Sequence, residues 1–380
     1  MLSGCSDGQN EDDGYKIFSD GTYVLQEETV IEESSYDFAD FYIPDGMVMN
    51  YCSSGFTDEE RELYNTITEN LGRLKDKMPL SADAAVYEKI LKTIRIENLA
   101  YPHVTKYWTE YNGDFEVAVT YRMTADEISS MNMAVEKAAK EIISQLSPDM
   151  DDYEKLKYFH DYLILNCKTD KTYSFADTAY GALVEKKALC EGYSKAFAYL
   201  CNLAGIENAI VTGETYVPHM WNMVKLDGNW YHVDVTWDKP ADELHKIFPD
   251  VILYQYFMVT DSVINNTHII DITPFNPPQA FGTAENYFSR EGTDIGSEEE
   301  LMTASENAIL SAVQSGRTSA MVKFDTTDVL LSCTGELSNE ELFNPIIEKA
   351  KLEYGQNIML SWTDYYGQYR ILTFIIEYIE

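Results

Sequence analysis

The chain has 380 residues, of which 45% are hydrophobic, enough apolar content to build two or three domains with buried cores. Its 28 basic residues stand against 64 acidic ones, for a formal charge of -36, a balance that repels phosphate backbones and anionic lipid headgroups and argues against nucleic acid as a partner. There is no run of roughly 18 apolar residues, so no segment reads as a membrane-spanning helix.

At the start of the chain, "LSGC" from Leu2 to Cys5 resembles the lipobox of bacterial lipoprotein precursors, with Cys5 as the residue that would carry the lipid. Such a box follows a charged and an apolar segment, and here only Met1 precedes it. The polar, acidic stretch that follows has the composition of a flexible tether, so residues 1–14 are expected to hold the protein off a membrane surface. Any membrane association would run through that anchor alone. The six cysteines, Cys5, Cys52, Cys167, Cys190, Cys201 and Cys333, form no CxxC pair and no cluster with histidines. Neither a disulfide scaffold nor a structural zinc site is expected, and no cofactor is predicted.

Residues 15–123 read as an N-terminal α+β domain. Thr57 and Glu60 have the spacing of a capping box opening a helix through about Lys77. "ADAAVYEKILKTIRIENLA" predicts a second helix, and "DFEVAVTYRM" alternates like a half-buried strand. Residues 124–288 open with two helices separated by Ser147-Pro148. In the second, Tyr153, Leu156, His160, Leu163, Ile164 and Cys167 fall on one stripe, which makes His160 a core histidine. A further helix, "CEGYSKAFAYLCNLAG", starts at Cys190 and has Gly205 as its stop signal. Residues 289–380 read as a small α/β domain: a helix in "EEELMTASENAILSAVQ", strands "SAMVKF" and "DVLLSC", a helix capped by Ser338 and Glu341, and strands "NIMLSW" and "YRILTFIIEY".

The chemistry concentrates in "HMWNMVKLDGNWYHVDVTWD", His219 to Asp238. Asp227-Gly228 between alternating runs predicts a type I′ hairpin with Leu226 opposite Asn229. Extending that register puts His219 opposite Thr236 and Asp234 diagonal to His219, about 7–8 Å away at the backbone. Met220, Val224, Leu226, Tyr231, Val233, Val235 and Trp237 then share a core face. His219, Trp221, His232, Asp234 and Thr236 share the other, too polar to be buried without purpose. His232 rivals His219 as a catalytic base, but His219 lies at the strand entry. A His-Asp pair leaves one ring nitrogen to serve as a base and calls for a nucleophile or a metal. Cys190, at the first turn of its helix, is the candidate: a thiol there meets unpaired N–H groups and the positive end of the helix dipole, which favour a thiolate and can hold an oxyanion. Cys201 lies deeper along the same helix and reads as core.

Together, "YGALVEKKALCEGYSKAFAYLCNLAGI" and the hairpin resemble the bacterial transglutaminase-like superfamily over about Asp151 to Lys239. The resemblance implies an α+β, papain-like core, a nucleophile helix packed on an antiparallel sheet, flanked by N- and C-terminal α/β segments. It also implies a triad of Cys190 as nucleophile, His219 as general base and acid, and Asp234 as the residue that orients the imidazole. The CGSCW-like segment of papain-type peptidases and the RGGxC approach of arylamine acetyltransferases are both lacking. Tyr180 is the candidate for a further oxyanion contact, the alternative being that its ring packs on the nucleophile helix, and Trp221 for a wall that excludes water, the alternative being plain packing. The implied activity is attack on an amide of a protein or peptide through a thioester, by a peptidase or an acyltransferase. In the lipoprotein reading it works at the extracellular cell surface. The competing reading is a binding or scaffold protein that keeps the fold while its site is covered.

Overall fold

A computed structural model describes residues 15–17, 23–25, 41–75, 77–80, 84–100, 104–111, 115–240, 251–272, 275–339, 341–366 and 370–379. Cys5 and the expected tether lie outside the described residues. The chain divides into two compact units, Met1–Ala134 and Val135–Glu380.

In the first unit, β1 (Tyr15–Ile17) pairs with β2 (Tyr23–Leu25). Helix α1 (Asp58–Gly72) opens on the expected capping box: the Thr57 hydroxyl accepts from the Glu60 amide at 3.2 Å, and the Glu60 carboxylate accepts from the Thr57 amide at 2.9 Å. The helix stops short of Lys77. Leu74 has a φ of 52°, which breaks the helical path, and Lys77 begins strand β3 (Lys77–Leu80). After α2 (Ala84–Glu97), strands β4 (Val104–Tyr111) and β5 (Phe115–Tyr121) complete an antiparallel sheet in the order β3-β5-β4. Helix α3 (Ala125–Ile143) follows.

In the second unit, α4 (Asp152–Asn166) is capped by Asp151 and Glu154 and buries the predicted stripe, His160 included. Short strands β6 (Lys168–Thr169) and β7 (Lys187–Ala188) pair in parallel and lead into α5 (Cys190–Leu203). Gly205, with a φ of 75°, ends α5 as expected, and the Ile206 amide turns back onto the Cys201 carbonyl at 2.9 Å. Strands β8 (Asn208–Glu214), β9 (Pro218–Leu226) and β10 (Asn229–Val233) form a meander. Strand β11 (Phe257–Val259), helix α6 (Asp261–Ile264) and strand β12 (Ile269–Ile270) complete a five-stranded antiparallel sheet, β11-β10-β9-β8-β12. The unit is α+β, with helix α5, which begins at Cys190, packed on an antiparallel sheet.

The hairpin loop is the predicted one. Asp227 and Gly228 have φ values of 49° and 81°, and Asn229 pairs with Leu226. The ladder ends at Val233, however, and His219 pairs across to Gly213 on β8, not to Thr236. Beyond Val233 the chain leaves the sheet in a turn, so Trp237 does not join the core face assigned to it. It packs against His219 and His268, with ring centroids 6.2 and 4.7 Å away.

The rest of the chain runs through α7 (Tyr287–Glu291), β13 (Asp294–Ile295), α8 (Leu301–Gln314), β14 (Ser319–Phe324), α9 (Thr327–Leu337), α10 (Asn344–Tyr354), β15 (Ile358–Tyr366) and β16 (Ile371–Tyr378). Its sheet, β13-β14-β16-β15, shares one apolar core with α8, α9 and α10, in which Phe343 meets Phe374 edge-on. Two expectations fail here. "DVLLSC" is helical, within α9, because the Thr326 hydroxyl caps the Val329 amide and Asp328 sits in the first turn. Ser338 ends α9 instead of opening the next helix, and α10 starts at Asn344 with a proline in its first turn.

Helix α5 lies against β9 and β8, and two buried hydrogen bonds hold the seam with β9. The Ser194 hydroxyl donates to the Met220 carbonyl at 2.9 Å, and the Asn222 amide donates to the Ser194 carbonyl at 3.0 Å. We expect Ser194→Ala to lose about 1 kcal/mol of unfolding free energy, and Asn222→Ala, which also opens a cavity, about 1–3 kcal/mol. Chemical denaturation of both variants measures this.

Candidate functional site

Cys190 is the first residue of α5. Leu189 precedes it in extended conformation with no side chain capping the helix, so no side-chain cap occupies the N–H groups of the first turn. The Leu189 amide is held by the Ala176 carbonyl at 2.8 Å. Gly192 allows this close approach: a Cβ there would lie 3.0 Å from the Thr178 carbonyl and 3.0 Å from the Ala188 Cβ, and would run into the Ala176 carbonyl. Glu191 and Lys195, one turn apart, form a 2.7 Å ion pair along the helix.

The seam at Ser194 sets what faces Cys190. Ser194 lies one turn along the helix from Cys190 and bonds Met220, the neighbour of His219. Cys190 and His219 are thereby brought together, and the sulfur is among the groups that raise the proton affinity of the imidazole. His219 Nε2 sits 2.6 Å from Asp234 Oδ2, which leaves Nδ1 for the thiol. Cys190 is partly exposed, whereas His219 and Asp234 are buried.

Asp234 is held at both oxygens. Oδ1 accepts from the amides of Thr236 and Trp237, each at 3.0 Å, in the turn that carries the chain out of the sheet. Oδ2 accepts from His219 and, at 3.0 Å, from His268 Nε2. Burial works against its charge, but His219 and His268 outweigh it and hold the carboxyl well below the usual carboxylate range. For His219 the balance is similar. Burial disfavours the cation, yet Asp234 and Cys190 push its pKa up to about 10.

His232, the rival histidine, is engaged elsewhere. Its Nδ1 accepts from the Trp221 indole N–H at 3.0 Å and its Nε2 faces Asp261 at 2.9 Å. Burial lowers its pKa despite Asp261, so the ring is a neutral acceptor that fixes Trp221. Trp221 is buried and stacks on His219 at 5.9 Å with an 18° tilt. Tyr180 is placed differently: its hydroxyl donates to Glu185 at 3.1 Å, and its ring meets Phe175 edge-on at 6.4 Å. Cys201 is fully buried, and burial raises its thiol pKa well above the ordinary value.

Sequence reasoning missed two things here, the placements of His268 and Trp237, while His160 is the satisfied core histidine expected of it. His268 reaches Asp234 from beyond α6. His160 is buried but polar-bonded, between Asp161 at 3.0 Å and Asp238 at 3.1 Å. Trp237 stacks at 6.4 Å on Tyr216, an exposed ring beside the site. Only the repeated aspartates of "HVDVTWD" hinted at the second pair. Among the described residues, His219, Asp234 and His268 are also a group whose donor atoms suit a metal ion, lying within 4.8 Å of one another. Each histidine nitrogen that faces Asp234 already forms a hydrogen bond, so a cation would have to replace those bonds and take the nitrogen that orients His219.

Residues 137–235 match the family model of the transglutaminase-like superfamily, a span that includes Cys190, His219 and Asp234 and ends before His268. The chain carries a transglutaminase-like domain there. It is 29% identical over 118 residues to the kyphoscoliosis peptidase of Homo sapiens and 28% identical over 118 residues to that of Mus musculus. Each match covers 27% of this chain and 18% of the relative, so the chain spans under a fifth of the length of these curated relatives. A crystal structure of a TGase is similar at 17% identity and a TM-score of 0.26, covering 44% of this chain and 53% of that one.

The paired charges set a pH dependence of stability. His219, with a folded pKa of about 10 against an ordinary 6.5, is protonated in the folded state where the unfolded chain has lost the proton. Its contribution is therefore full below about pH 6.5 and is lost as pH rises toward 10. Asp234, lowered, contributes above its ordinary value of 3.8 and loses that contribution as pH falls further. We expect the stability difference between wild type and Asp234→Asn to be largest between these limits and to shrink on either side, as read by denaturant melts across pH 3 to 10.

Proposed function

We propose, on the premise of a transglutaminase-like domain at residues 137–235, that this protein is a thiol enzyme acting on amide bonds of proteins or peptides. In this reading Cys190 is the nucleophile, His219 the base and acid, and Asp234 the residue that orients the imidazole. The observation that carries the reading is a partly exposed thiol at the start of α5, docked through Ser194 on the neighbour of an imidazole whose Nε2 is held by a buried carboxylate. Packing alone gives no reason to bring these three groups together.

The sulfur, its proton on His219 Nδ1, attacks the amide carbonyl carbon, and the carbonyl π electrons move to oxygen. The N–H groups at the start of α5, where the Leu189 side chain makes no cap bond, suit the oxyanion. As the C–N bond breaks, His219 gives its proton to the leaving nitrogen and a thioester remains on Cys190. Asp234 keeps the proton-bearing Nε2 turned away from the sulfur throughout. Water then yields a carboxylic acid, as in a peptidase, and an amine yields a new amide, as in an acyltransferase. The name peptidase in the curated relatives supports a peptide or protein substrate. The lipobox-like Leu2–Cys5 supports display of this activity at a bacterial cell surface.

The test has two parts. Iodoacetamide should label Cys190 at pH 6 about 10- to 100-fold faster in wild type than in His219→Ala, as expected for a base-paired thiol, with mass spectrometry as the readout. Casein incubated with the protein, with or without dansylcadaverine, should give new fragments or dansyl-labelled protein, and Cys190→Ala should give neither. A thiol indifferent to His219, together with unchanged casein, would move the protein to a binding or scaffold role.

A pH profile separates the two roles of His219. Amide turnover should fall on the alkaline side as the ring loses its proton near its pKa of about 10. Acetylation of Cys190 by p-nitrophenyl acetate, whose leaving group needs no proton, should show no such fall.

A further inference from the structure

We infer that His268 is a positioning residue of this site, a fourth member that aims Asp234 and through it the His219 ring at Cys190. The inference rests on the thiol chemistry proposed above. Its geometry is independent of which amide is attacked.

An ionised carboxylate can only accept, so both imidazoles turn a proton-bearing Nε2 toward the same oxygen, Oδ2: His219 at 2.6 Å and His268 at 3.0 Å. With Oδ1 taken by the Thr236 and Trp237 amides, the carboxylate plane is fixed at both ends, and one direction is left for His219. His268 is itself braced from behind. Its Nδ1 lies 2.8 Å from the Thr267 hydroxyl, and that hydroxyl lies 2.9 Å from the Tyr256 hydroxyl. If Thr267 donates to Nδ1, Tyr256 donates to Thr267, and the donors run one way from Tyr256 to Asp234. Trp237 and Trp221 pack on the His268 ring at 4.7 and 5.0 Å, so it has little room to turn.

A second feature shows the fold making room for this residue. His268 immediately precedes β12, which pairs with the end of β8 at Gly213. A Cβ at Gly213 would run into the Ile269 carbonyl and lie 2.8 Å from the Trp221 ring. Gly213 also pairs with His219 across the other edge of β8. The bare backbone at that position lets the strand carrying His268 and the ring stacked on His219 close on the site together.

Leucine at position 268 would fill the space and leave Oδ2 with His219 alone. Glutamine can place an amide N–H near the position of Nε2. His268→Leu is expected to slow iodoacetamide labelling of Cys190 at pH 6 about tenfold, in the range of lost outer-layer hydrogen bonds, and to move the far-downfield NMR signal of the His219–Asp234 proton. His268→Gln should recover labelling to within about threefold of wild type, on the same principle. A merely structural role would lower thermal stability and leave both readouts of the folded protein unchanged. Labelling and proton signal at wild-type values in His268→Leu would overturn the inference. Should that variant not fold, Thr267→Val, which removes the hydroxyl that meets His268, Tyr256 and the Ile264 carbonyl, decides: slower labelling supports the role and wild-type labelling overturns it. If Cys190 labelling follows His268 as expected but casein is never altered, the proposed activity fails and the positioning role stands.

Discussion

The buried charge of Asp234 is the constraint on which the site depends. A carboxylate removed from water is destabilised by several kcal/mol unless donors replace the lost solvent. Here four donors do so, from three parts of the chain: two backbone amides of the turn after β10, one imidazole at the start of β9, and one just before β12. None of these segments can move without exposing or orphaning the charge. The requirement to satisfy one carboxylate therefore sets the end of the β10 ladder, the entry of β9 and the approach of β12.

The same turn carries a second carboxylate under opposite pressure. Asp238 accepts from the Tyr256 amide at 2.8 Å and meets His160, while its amide bonds the Asp234 carbonyl at 3.1 Å. Burial and the nearby Asp234 charge raise its pKa to about 6, against the pull of His160. Two aspartates four residues apart thus have their proton affinities driven in opposite directions, a pattern that separates a permanently ionised group from one that takes a proton easily. Asp234 is the one that faces His219. Asp238, through His160, ties the turn to α4.

Much of this was legible in the sequence, and the failures have physical causes. Asp227-Gly228 demanded a type I′ loop because few residues tolerate two successive positive φ values, and the hairpin followed. The pairing of His219 with Asp234 was reached from a register that in fact ends at Val233; the contact forms because Asp234 starts a turn and its own side chain caps it. No spacing rule could have found His268, since Asp234 is 34 residues away and the link depends on where β12 docks. "DVLLSC" read as a strand because its apolar run outweighed Thr326, whose capping bond decided for a helix. Apolar periodicity names a face, but the polar atoms at each end decide the element.

The polar face of the hairpin illustrates this last point most fully. Its two histidines, on a face too polar to be buried without purpose, are both buried. Partners give His219 and His232 opposite chemistries. His219, between a carboxylate and a thiol, is held protonated. His232 accepts from an indole and, with burial dominant, is driven toward the neutral form. Because it stays an acceptor, it fixes Trp221, and Trp221 supplies the flat wall against which His219 lies. His219 therefore has its edge set by Asp234 and its plane by Trp221. A ring fixed in both respects has one nitrogen left to present, and the α5 seam places Cys190 in front of it.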